Sequence, residues 1–582
     1  MTTLSLHGVG VSKGVAIGKV HLIERNQQET REYQIEEHLL QQEIARFKIA
    51  ISLARQQLRS VRLHIPHGTP GNIASFIETH LLMLEDSALV EEPVNIIRER
   101  QCNAEWAVKI QRDILVSVFD QMDDAYLRTR KDDVDHVVNR IQRILLDHGL
   151  EAHEVPDTHL EGCIILAEDL SPADTVMMQH HGIAAFVIEH GGPTSHTAIL
   201  ARSLGIPSIV GVKRALRYVD EGDMLIVDAD AGVVLVNPDP VILEHYKQRQ
   251  LDIIRYQTEL IHLKEAAAIT LDGIEIELQA NIELEKDYSI VKKVCAKGVG
   301  LYRTEYLYMN RVAPPSEEEH YQTYIKTMEM LDNIPLTLRT MDLGSDKNSG
   351  TGYESTSIST SVNPALGLRA IRLCLKEPTL FEPQLRAVLR ASAKGPLRMM
   401  LPMLSTLQEV RDIFSIIKGI KQEFSEKGIP FNTDLKIGGM IEVPAAAVCA
   451  DMFAQYLDFL SIGTNDLIQY SMAIDRVNDE VNYLYDPLNP AILRLIHMTI
   501  NAGRQHNIPV AMCGEMAGEP KYVRLLLGLG LREFSVHPAS LLEIKRIIND
   551  SKVVDLEAKA LQILNAKDSS FANEMLDSLN IL

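Results

Sequence analysis

The segment FLSIGTND, residues 459–466, is the strongest indication of the fold, because an apolar strand is followed directly by polar residues that can take part in catalysis. The same pattern recurs in KIGGMIEV, which delivers Glu442, and in PVAMCGE, which delivers Cys513. Eight such strands, separated by helical patterns, follow residue 275: ELQANI, GVGLYRTEY, LTLRTMDLG, LRMMLPML, KIGGMIEV, FLSIGTND, PVAMCGE and REFSVHP. Polar groups gathered at strand ends in a repeating β-then-α pattern are how a (β/α)8 barrel builds an active site. The sequence therefore predicts a C-terminal barrel and an enzyme.

Composition and charge narrow the class of protein. The chain has 582 residues and a net charge of −21, which argues against nucleic acid or an anionic membrane as a partner and suits solubility or a basic protein partner. Its six cysteines show no CxxC spacing, which favours a reducing cytoplasm over a disulfide framework. The start MTTLSLHGVG lacks the features of a signal peptide, and no apolar run reaches membrane-spanning length. We expect a cytoplasmic protein.

The N-terminal half is predicted to contain an α/β domain with an insertion. LHGVGVSKGVAIGKVHLI indicates strand, turn and strand, but it is too short to hold a core of its own. Apolar residues then recur at helical spacing from about residue 27 to 146, and strands return in CIILAEDL, AAFVIEH, PSIVGV and MLIVDADAGVVLV. We predict that residues 1–25 and 148–238 form one α/β domain, into which an all-helical domain of residues 26–147 is inserted.

A linker and the barrel complete the predicted organisation. The segment EHYKQRQLDIIRYQTELIHLKEAA is a polar-rich helical pattern with a thin apolar stripe, which is typical of a helix that bridges domains. We assign residues 239–268 to a linker helix and residues 269–582 to the barrel.

The segment GGPTSHTAILARSLGIP predicts a histidine at the N-terminus of a short helix. Gly191 and Gly192 allow a sharp turn, and Thr194 or Ser195 can cap the helix that follows. The helix macrodipole disfavours imidazolium, so it keeps the ring of His196 neutral and nucleophilic. The same end of the helix would stabilise a phosphate bonded to that ring. We therefore predict that His196 is phosphorylated.

Two alternative interpretations of this segment stay open. A single histidine near a turn is more often structural. A metal site that uses His180, His181 and His190 is the other alternative, although adjacent His180 and His181 point in different directions.

The motifs GGPTSHTAILAR and FLSIGTNDLIQYSMAIDR are similar to the two signatures of phosphoenolpyruvate-utilising enzymes. Together with GLYRTEYLYM, RTMDLGSDK and AMCGEMAGE, they make the whole chain resemble the enzyme I family of the bacterial phosphotransferase system. The resemblance implies that phosphoenolpyruvate phosphorylates His196 and that the α/β domain swivels. It also implies that the helical insertion binds HPr, a small histidine-containing carrier protein, and that the barrel forms a homodimer.

Candidate site residues lie at the predicted ends of the barrel strands. Arg303, Arg339 and Arg476 are expected to bind the phosphate and carboxylate of the substrate, because a planar guanidinium suits bidentate recognition. Glu442 and Asp466 offer hard oxygen ligands for Mg²⁺. A structural carboxylate or a surface arginine is the alternative for each of these positions.

Two further residues complete the predicted catalytic set. By resemblance, Asn465 adds a hydrogen bond to the substrate. Cys513 matches the family's cysteine acid, which protonates the enolate that phosphoryl transfer leaves behind. An ordinary thiol stays mostly protonated at neutral pH, as a general acid requires. We interpret the other five cysteines as inert packing.

The docking helix and several departures from the family pattern bear on the partner. FIETHLLMLED matches the family's docking helix, which makes His80, Glu85 and Asp86 candidate contacts with HPr.

Asp135 stands where the family commonly has arginine, Ser345 replaces a glycine, and Ser361 and Val362 stand where acidic residues are usual. We predict a phosphotransferase; the alternative is a regulatory paralogue that senses phosphoenolpyruvate with weak turnover or serves a nitrogen-type carrier.

Overall fold

The fold is that of a computed structural model. It describes residues 3–23, 31–64, 71–120, 125–146, 160–170, 174–175, 178, 182–192, 198, 201, 205–283, 285–308, 311, 313–343, 364–475 and 481–581. The chain divides into two compact units, Met1–Arg255 and Tyr256–Leu582.

A single eight-stranded sheet organises the first unit. Its strands are β1 (Leu4–His7), β2 (Val9–Ser12), β3 (Val15–Ile23), β4 (Ile164–Ala167), β5 (Ala185–Ile188), β6 (Ser208–Val210), β7 (Met224–Asp228) and β8 (Val233–Val236). Their order is β1-β8-β7-β3-β4-β5-β6-β2. The four strands β3, β4, β5 and β6 run parallel to one another, whereas β7 pairs with β3, and β2 with β6, in the antiparallel direction. Alternate residues of β4 enter different apolar clusters, Ile164 and Leu166 in one and Ile165 and Ala167 in the other. Both faces of the sheet are therefore buried, which explains the continuous apolar runs in its central strands.

The helical insertion falls between two neighbouring strands of this sheet. The chain leaves at the end of β3 and returns in β4, where Val20 pairs with Ile164. The insertion contains α1 (Leu40–His64), α2 (Gly71–Met83), α3 (Ser87–Val90), α4 (Glu92–Arg100), α5 (Ala104–Asp120) and α6 (Ala125–Leu146). It has its own apolar cluster, which includes Phe47, Leu58 and Ile141. The predicted insertion of helices into an α/β domain is confirmed.

Helix α7 (Pro240–His262) contains the division between the two units. None of its residues is buried, as expected of the polar-rich pattern in its sequence.

A closed parallel barrel forms the second unit. Its strands are β9 (Glu277–Ile282), β10 (Val299–Tyr302), β11 (Leu336–Arg339), β12 (Leu397–Leu401), β13 (Lys436–Ile441), β14 (Phe459–Ile462), β15 (Val510–Met512) and β16 (Glu533–Val536). Each strand pairs in parallel with the next, and β16 closes the barrel by pairing Phe534 with Leu278 of β9. All eight strands expected from the sequence are present, so the predicted (β/α)8 fold is confirmed.

Helices surround the barrel strands, and local capping residues determine where they begin and end. They are α8 (Glu285–Lys293), α9 (Glu317–Met330), α10 (Ile371–Lys376), α11 (Pro378–Ser392), α12 (Leu407–Lys427), α13 (Pro444–Val448), α14 (Ala450–Ala454), α15 (Thr464–Met472), α16 (Pro490–His506), α17 (Glu515–Gly518), α18 (Pro520–Gly528), α19 (Leu541–Asn549), α20 (Val553–Leu564) and α21 (Ser569–Asn580). A capping box of Thr406 with Glu409 begins α12, and Gly428 ends it at a φ of 67°. Within the described residues, every helix is too short or too polar to span a membrane.

The interior of the barrel holds a small apolar cluster of its own. It consists of Leu301, Met400, Met440, Phe459 and Cys513, which alternate along the strands with residues of the main core. Because successive side chains of a strand point to opposite faces, these residues line the inside of the barrel.

Candidate active site

The carboxyl ends of the barrel strands bring most of the predicted site residues to one edge. Arg339 is the last residue of β11, and Glu442 follows β13 directly. Cys513 follows β15, while Asn465 and Asp466 lie in the first turn of α15, just after β14. Because parallel strands end on the same side of a barrel, these side chains share one mouth.

Arg339 is buried and bound by two carboxylates. Its side chain is 7% exposed, with Nη2 at 3.0 Å from Glu305 Oε1 and Nη1 at 3.3 Å from Asp342 Oδ2. Burial alone would lower the pKa of Arg339, but the carboxylates of Glu305 and Asp342 outweigh it and raise that pKa. Its Nε is buried and has no hydrogen-bond partner among the described residues. The guanidinium is thus permanently charged and retains a donor for an anionic substrate.

Arg369 links two carboxylates of the site and was missed by sequence reasoning. It donates to both oxygens of Asp342, at 2.7 and 2.9 Å, and to Asp466 Oδ2 at 3.1 Å. It also donates to the Tyr470 hydroxyl at 3.2 Å. Burial opposes the charge of Arg369, but Asp342 and Asp466 outweigh it and raise the pKa of the guanidinium. Arg369 therefore fixes the position of Asp466.

The residue after Arg369 has a strained backbone conformation, which accompanies the role of Arg369 in positioning Asp466. Ala370 has a φ of 50° and a ψ of −127°, a conformation that costs a non-glycine residue about 1–3 kcal/mol. Ala370 is fully buried, and its N–H donates to Leu343 O at 2.9 Å. Such strain is visible only in the structure, so no signal in the sequence identified Arg369. Asp342 did carry a signal, because it lies within the RTMDLG motif beside Arg339.

Glu442 is a buried carboxylate close to two other negatively charged side chains. Burial and repulsion by Asp466 and Asp342 raise the pKa of Glu442 above its usual range. Its Oε1 accepts a hydrogen bond from the Met403 N–H at 2.6 Å. A Cβ on Gly463 would stand 2.9 Å from Glu442 Oε2, so the glycine makes room for this carboxylate. A divalent cation held between Glu442 and Asp466 would relieve the repulsion, and the hard oxygen donors fit Mg²⁺.

Cys513 is buried inside the barrel with a hydroxyl partner. The Ser461 hydroxyl donates to Cys513 Sγ at 3.3 Å. Burial raises the pKa of Cys513, and this outweighs the hydrogen bond from Ser461 and the nearby guanidinium of Arg339, which lower it. The thiol therefore holds its proton at neutral pH, as a general acid must.

Arg303 and Asn465 lie at the more exposed part of the mouth. Arg303 Nη1 is 3.2 Å from Glu283 Oε2, and its side chain is 42% exposed. Asn465 exchanges two hydrogen bonds with Glu515, one from Nδ2 to Oε1 at 2.9 Å and one from the Glu515 N–H to Oδ1 at 3.0 Å. Both side chains are held in place yet reachable from solvent.

Several predicted residues lie outside the described part of the chain. They include His196, Arg476 and the departures Ser345, Ser361 and Val362. His180 and His181 of the alternative metal site also lie outside it, whereas His190 is an exposed ring whose Nδ1 lies 3.9 Å from Glu168 Oε1.

The predicted docking helix is α2 with the turn that follows it. Leu82 is 66% exposed, and Glu85 lies beside Arg59 at 3.9 Å with a side chain that is 53% exposed. Asp86 caps α3 by accepting from the Ala88 N–H at 2.8 Å. His80 is only 3% exposed, so the prediction that it contacts the carrier is wrong for this arrangement.

Comparison with protein families assigns three regions of the chain to one family of enzymes. The model described as PEP-utilising enzyme, PEP-binding domain, matches residues 257–553. Models described as PEP-utilising enzyme, N-terminal, and PEP-utilising enzyme, mobile domain, match residues 7–130 and 159–232.

Individual relatives agree with the family models. A phosphoenolpyruvate-protein phosphotransferase from Cupriavidus necator is 42% identical over 571 residues, which is 97% of each chain. One from Geobacillus stearothermophilus is 39% identical over 538 residues, which is 92% of each chain. Among solved structures, a solution structure of an Enzyme I protein is 34% identical and covers 43% of this chain and 99% of its own, with a TM-score of 0.37.

Proposed function

The chain belongs to the PEP-utilising enzymes as a phosphoenolpyruvate-protein phosphotransferase, and we propose that His196 receives the phosphoryl group and hands it to a histidine of an HPr-type carrier. In the first step the bridging P–O bond of phosphoenolpyruvate breaks and an N–P bond to the imidazole forms. The departing enolate takes up a proton and leaves as pyruvate. In the second step the N–P bond breaks as the carrier's histidine accepts the phosphoryl group.

One observation carries the proposal: the Nε of the buried Arg339, at the barrel mouth, has no hydrogen-bond partner in the part of the chain that the structure describes. A buried cation with a spare donor is a strong partner for a phosphate or carboxylate, because low local dielectric strengthens the interaction. Glu305 and Asp342 hold the guanidinium in place before substrate arrives. We propose that Arg339 and Arg303 bind the substrate here, together with Arg476.

The family is metal-dependent, and we propose Mg²⁺ as the ion, held by Glu442 and Asp466. The two buried carboxylates repel each other, and Arg369 positions one of them. When bound, Mg²⁺ would neutralise charge on the substrate's oxygens.

Cys513 is the proposed proton donor to the methylene carbon of the enolate. Its proton comes from Sγ, and the thiolate left behind is stabilised by the hydrogen bond from Ser461 and by Arg339. Asn465, braced by Glu515, is proposed to hydrogen-bond the substrate at the rim.

Three further proposals concern the whole protein. The α/β domain swivels to carry His196 between the barrel and the carrier. The barrel forms a homodimer, which the exposed apolar side chains of Val448, Met452 and Tyr456 support, at 55%, 45% and 43% exposure. The enzyme acts in the cytoplasm, which its six free thiols support.

The proposed docking surface for the carrier is a groove of ≈ 670 Å³ beside α2. It is lined by Arg59, Arg62, Glu78, Leu81, Leu82 and Glu85. The exposed Leu82 and the half-buried Leu81, among charges of both signs, resemble a protein interface with an apolar centre and a polar rim.

A second candidate is transfer to a carrier of the nitrogen-type branch. Asp135, which stands where the family commonly has arginine, accepts from Arg112 Nε at 2.7 Å and from its Nη2 at 3.1 Å. A paired acidic residue presents a different surface from a free arginine, which favours a carrier with altered charges.

The test is labelling with ³²P-phosphoenolpyruvate and Mg²⁺. We expect acid-labile, base-stable label on the parent and none on His196→Ala. Adding purified carriers of either branch should then move the label to the preferred one. Undiminished labelling of His196→Ala would refute the proposed acceptor.

A further inference from the structure

A cluster of three metal-ligating side chains lies in the helical insertion, outside the barrel site. His80 belongs to α2, while Asp133 and His136 belong to α6. One ligand atom from each residue lies within 4.8 Å of the other two. Asp133 and His136 are three positions apart, so they occupy the same face of α6. Nothing in the phosphotransfer reaction uses this cluster.

We propose that His80, Asp133 and His136 bind one divalent transition-metal ion, for which Zn²⁺ is the best match. Two imidazole nitrogens and one carboxylate oxygen form a ligand set typical of zinc, with water or another group in the fourth position. Tetrahedral ligands about 2.0–2.1 Å from Zn²⁺ lie roughly 3.3 Å apart. The distance between His80 Nε2 and Asp133 Oδ1 is already 3.7 Å. Closing the site therefore requires only small side-chain movements.

A second carboxylate orients His136. Its Nε2 lies 3.5 Å from Asp169 Oδ2. Its Nδ1 is buried and has no hydrogen-bond partner within the described chain. Metal-ligating histidines commonly donate their other ring N–H to a carboxylate, which fixes the tautomer and makes the free nitrogen a better ligand. The contact with Asp169 thus leaves Nδ1 as the nitrogen that donates its electron pair to the ion.

The surroundings suit a cation. His80 is only 3% exposed, and its Nε2 faces Asp133 Oδ1. Asp133 and Asp169 supply two negative charges near the site. The guanidinium of Arg140, on the same helix as Asp133, is engaged by Gln57 and Asp174, each at 3.2 Å.

The ion would fasten α2 to α6. Because Glu78, Leu81 and Leu82 of α2 line the groove beside it, the ion would also hold the proposed docking surface in one position. This consequence rests on the proposed function, whereas binding of the ion does not.

The test is titration of the full-length protein with Co²⁺, a spectroscopic stand-in for Zn²⁺, in excess Mg²⁺ to occupy the barrel carboxylates. We expect one equivalent to give the visible absorption of a four-coordinate ion, and Zn²⁺ to abolish it. His136→Ala should lose that equivalent, and Asp169→Asn should weaken it about 10–100-fold. His38→Ala, which removes a ring that is 71% exposed, should leave it unchanged.

Thermal unfolding provides a second measurement that does not depend on the spectrum. Zn²⁺ should raise the unfolding temperature of the parent and of His38→Ala, but not that of His136→Ala. Circular dichroism at low temperature verifies that each variant is folded. The proposal is overturned by equal Co²⁺ stoichiometry in parent and His136→Ala, or by a parent that lacks the absorption. Neither measurement requires phosphoryl transfer, so their failure would leave the proposed function standing.

Discussion

The barrel mouth and the groove beside α2 both contain arginines paired with carboxylates, but these ion pairs are buried at the mouth and exposed in the groove. At the mouth, the side chains of Arg339 and Arg369 are 7% and 8% exposed and are fixed by buried carboxylates. In the groove, Arg59 and Arg62 are 66% and 55% exposed, at 3.9 and 3.2 Å from their glutamates.

The difference reflects two kinds of recognition. A buried ion pair costs desolvation, and breaking it is strongly destabilising, but it gives a fixed field for charge that develops in a reaction. An exposed pair contributes about 0–1 kcal/mol and can exchange partners, which suits encounter with another protein. The comparison predicts large effects of substitution at the mouth and small, salt-dependent effects in the groove.

The largest effect is expected for Arg369→Met. The change leaves the carboxylates of Asp342 and Asp466 buried without their guanidinium, a loss of about 3–5 kcal/mol in comparable pairs. We expect the rate of His196 labelling to fall about 10³-fold. Arg372→Met is the matched control, because the hydrogen bond that the structure describes for this neighbouring arginine is an exposed one to Leu366 O, at 3.4 Å. Equal rates of His196 labelling for the two variants would show that the buried ion pairs of the mouth are no more sensitive to substitution than Arg372.

The next effect is expected for Cys513→Ala, which removes the proposed proton donor. Steady-state release of pyruvate should fall about 10²-fold, in the range for loss of a general acid. Because burial raises the pKa of Cys513, activity of the parent should persist into mildly alkaline solution and decline as the thiol loses its proton. Cys449→Ala, at a partly exposed thiol, should keep the parental rate and pH profile.

A third prediction concerns the stability of the barrel unit at acidic pH. His320 is fully buried between the hydroxyls of Tyr308 and Tyr324, at 3.2 and 3.0 Å from its ring nitrogens. Burial lowers the pKa of His320 from 6.5 to about 4, so between these values the unfolded chain binds a proton that the folded chain does not. The free energy of unfolding should fall as pH drops through this window, by about 2 kcal/mol at pH 5.

Denaturant unfolding of the parent and of His320→Gln at several pH values measures how much His320 contributes to the pH dependence of the free energy of unfolding. The variant is expected to be less stable at neutral pH but to lose less stability on acidification. Identical slopes against pH would show that the buried ring does not control the difference.

The smallest effect is expected in the groove. Arg62→Glu should change the rate of transfer to the carrier only about three- to tenfold, and added salt should shrink the difference, because exposed charges act mainly on encounter. Labelling of His196 should not change. Arg255→Glu is the control, at an arginine whose side chain is 72% exposed on α7. A salt-independent loss would mean that Arg62 is part of a tight contact.

The order of amino acids was enough to predict the eight barrel strands, the helical insertion and the positions of Glu442 and Cys513 at strand ends. Strands buried on both faces of a parallel sheet require continuous apolar runs, and each run ends where its polar residues begin. These features are local, so they can be read from the order of residues alone.

Which side chains contact one another became known only from the folded chain. Arg369 reaches Asp466 across 97 residues of chain. His80, which the motif suggested as an exposed contact, is instead buried against Asp133. Periodicity identifies the face of a helix that turns inward but not the element it packs against. The partners of a buried charge depend on that packing, because they come from parts of the chain that only folding brings together.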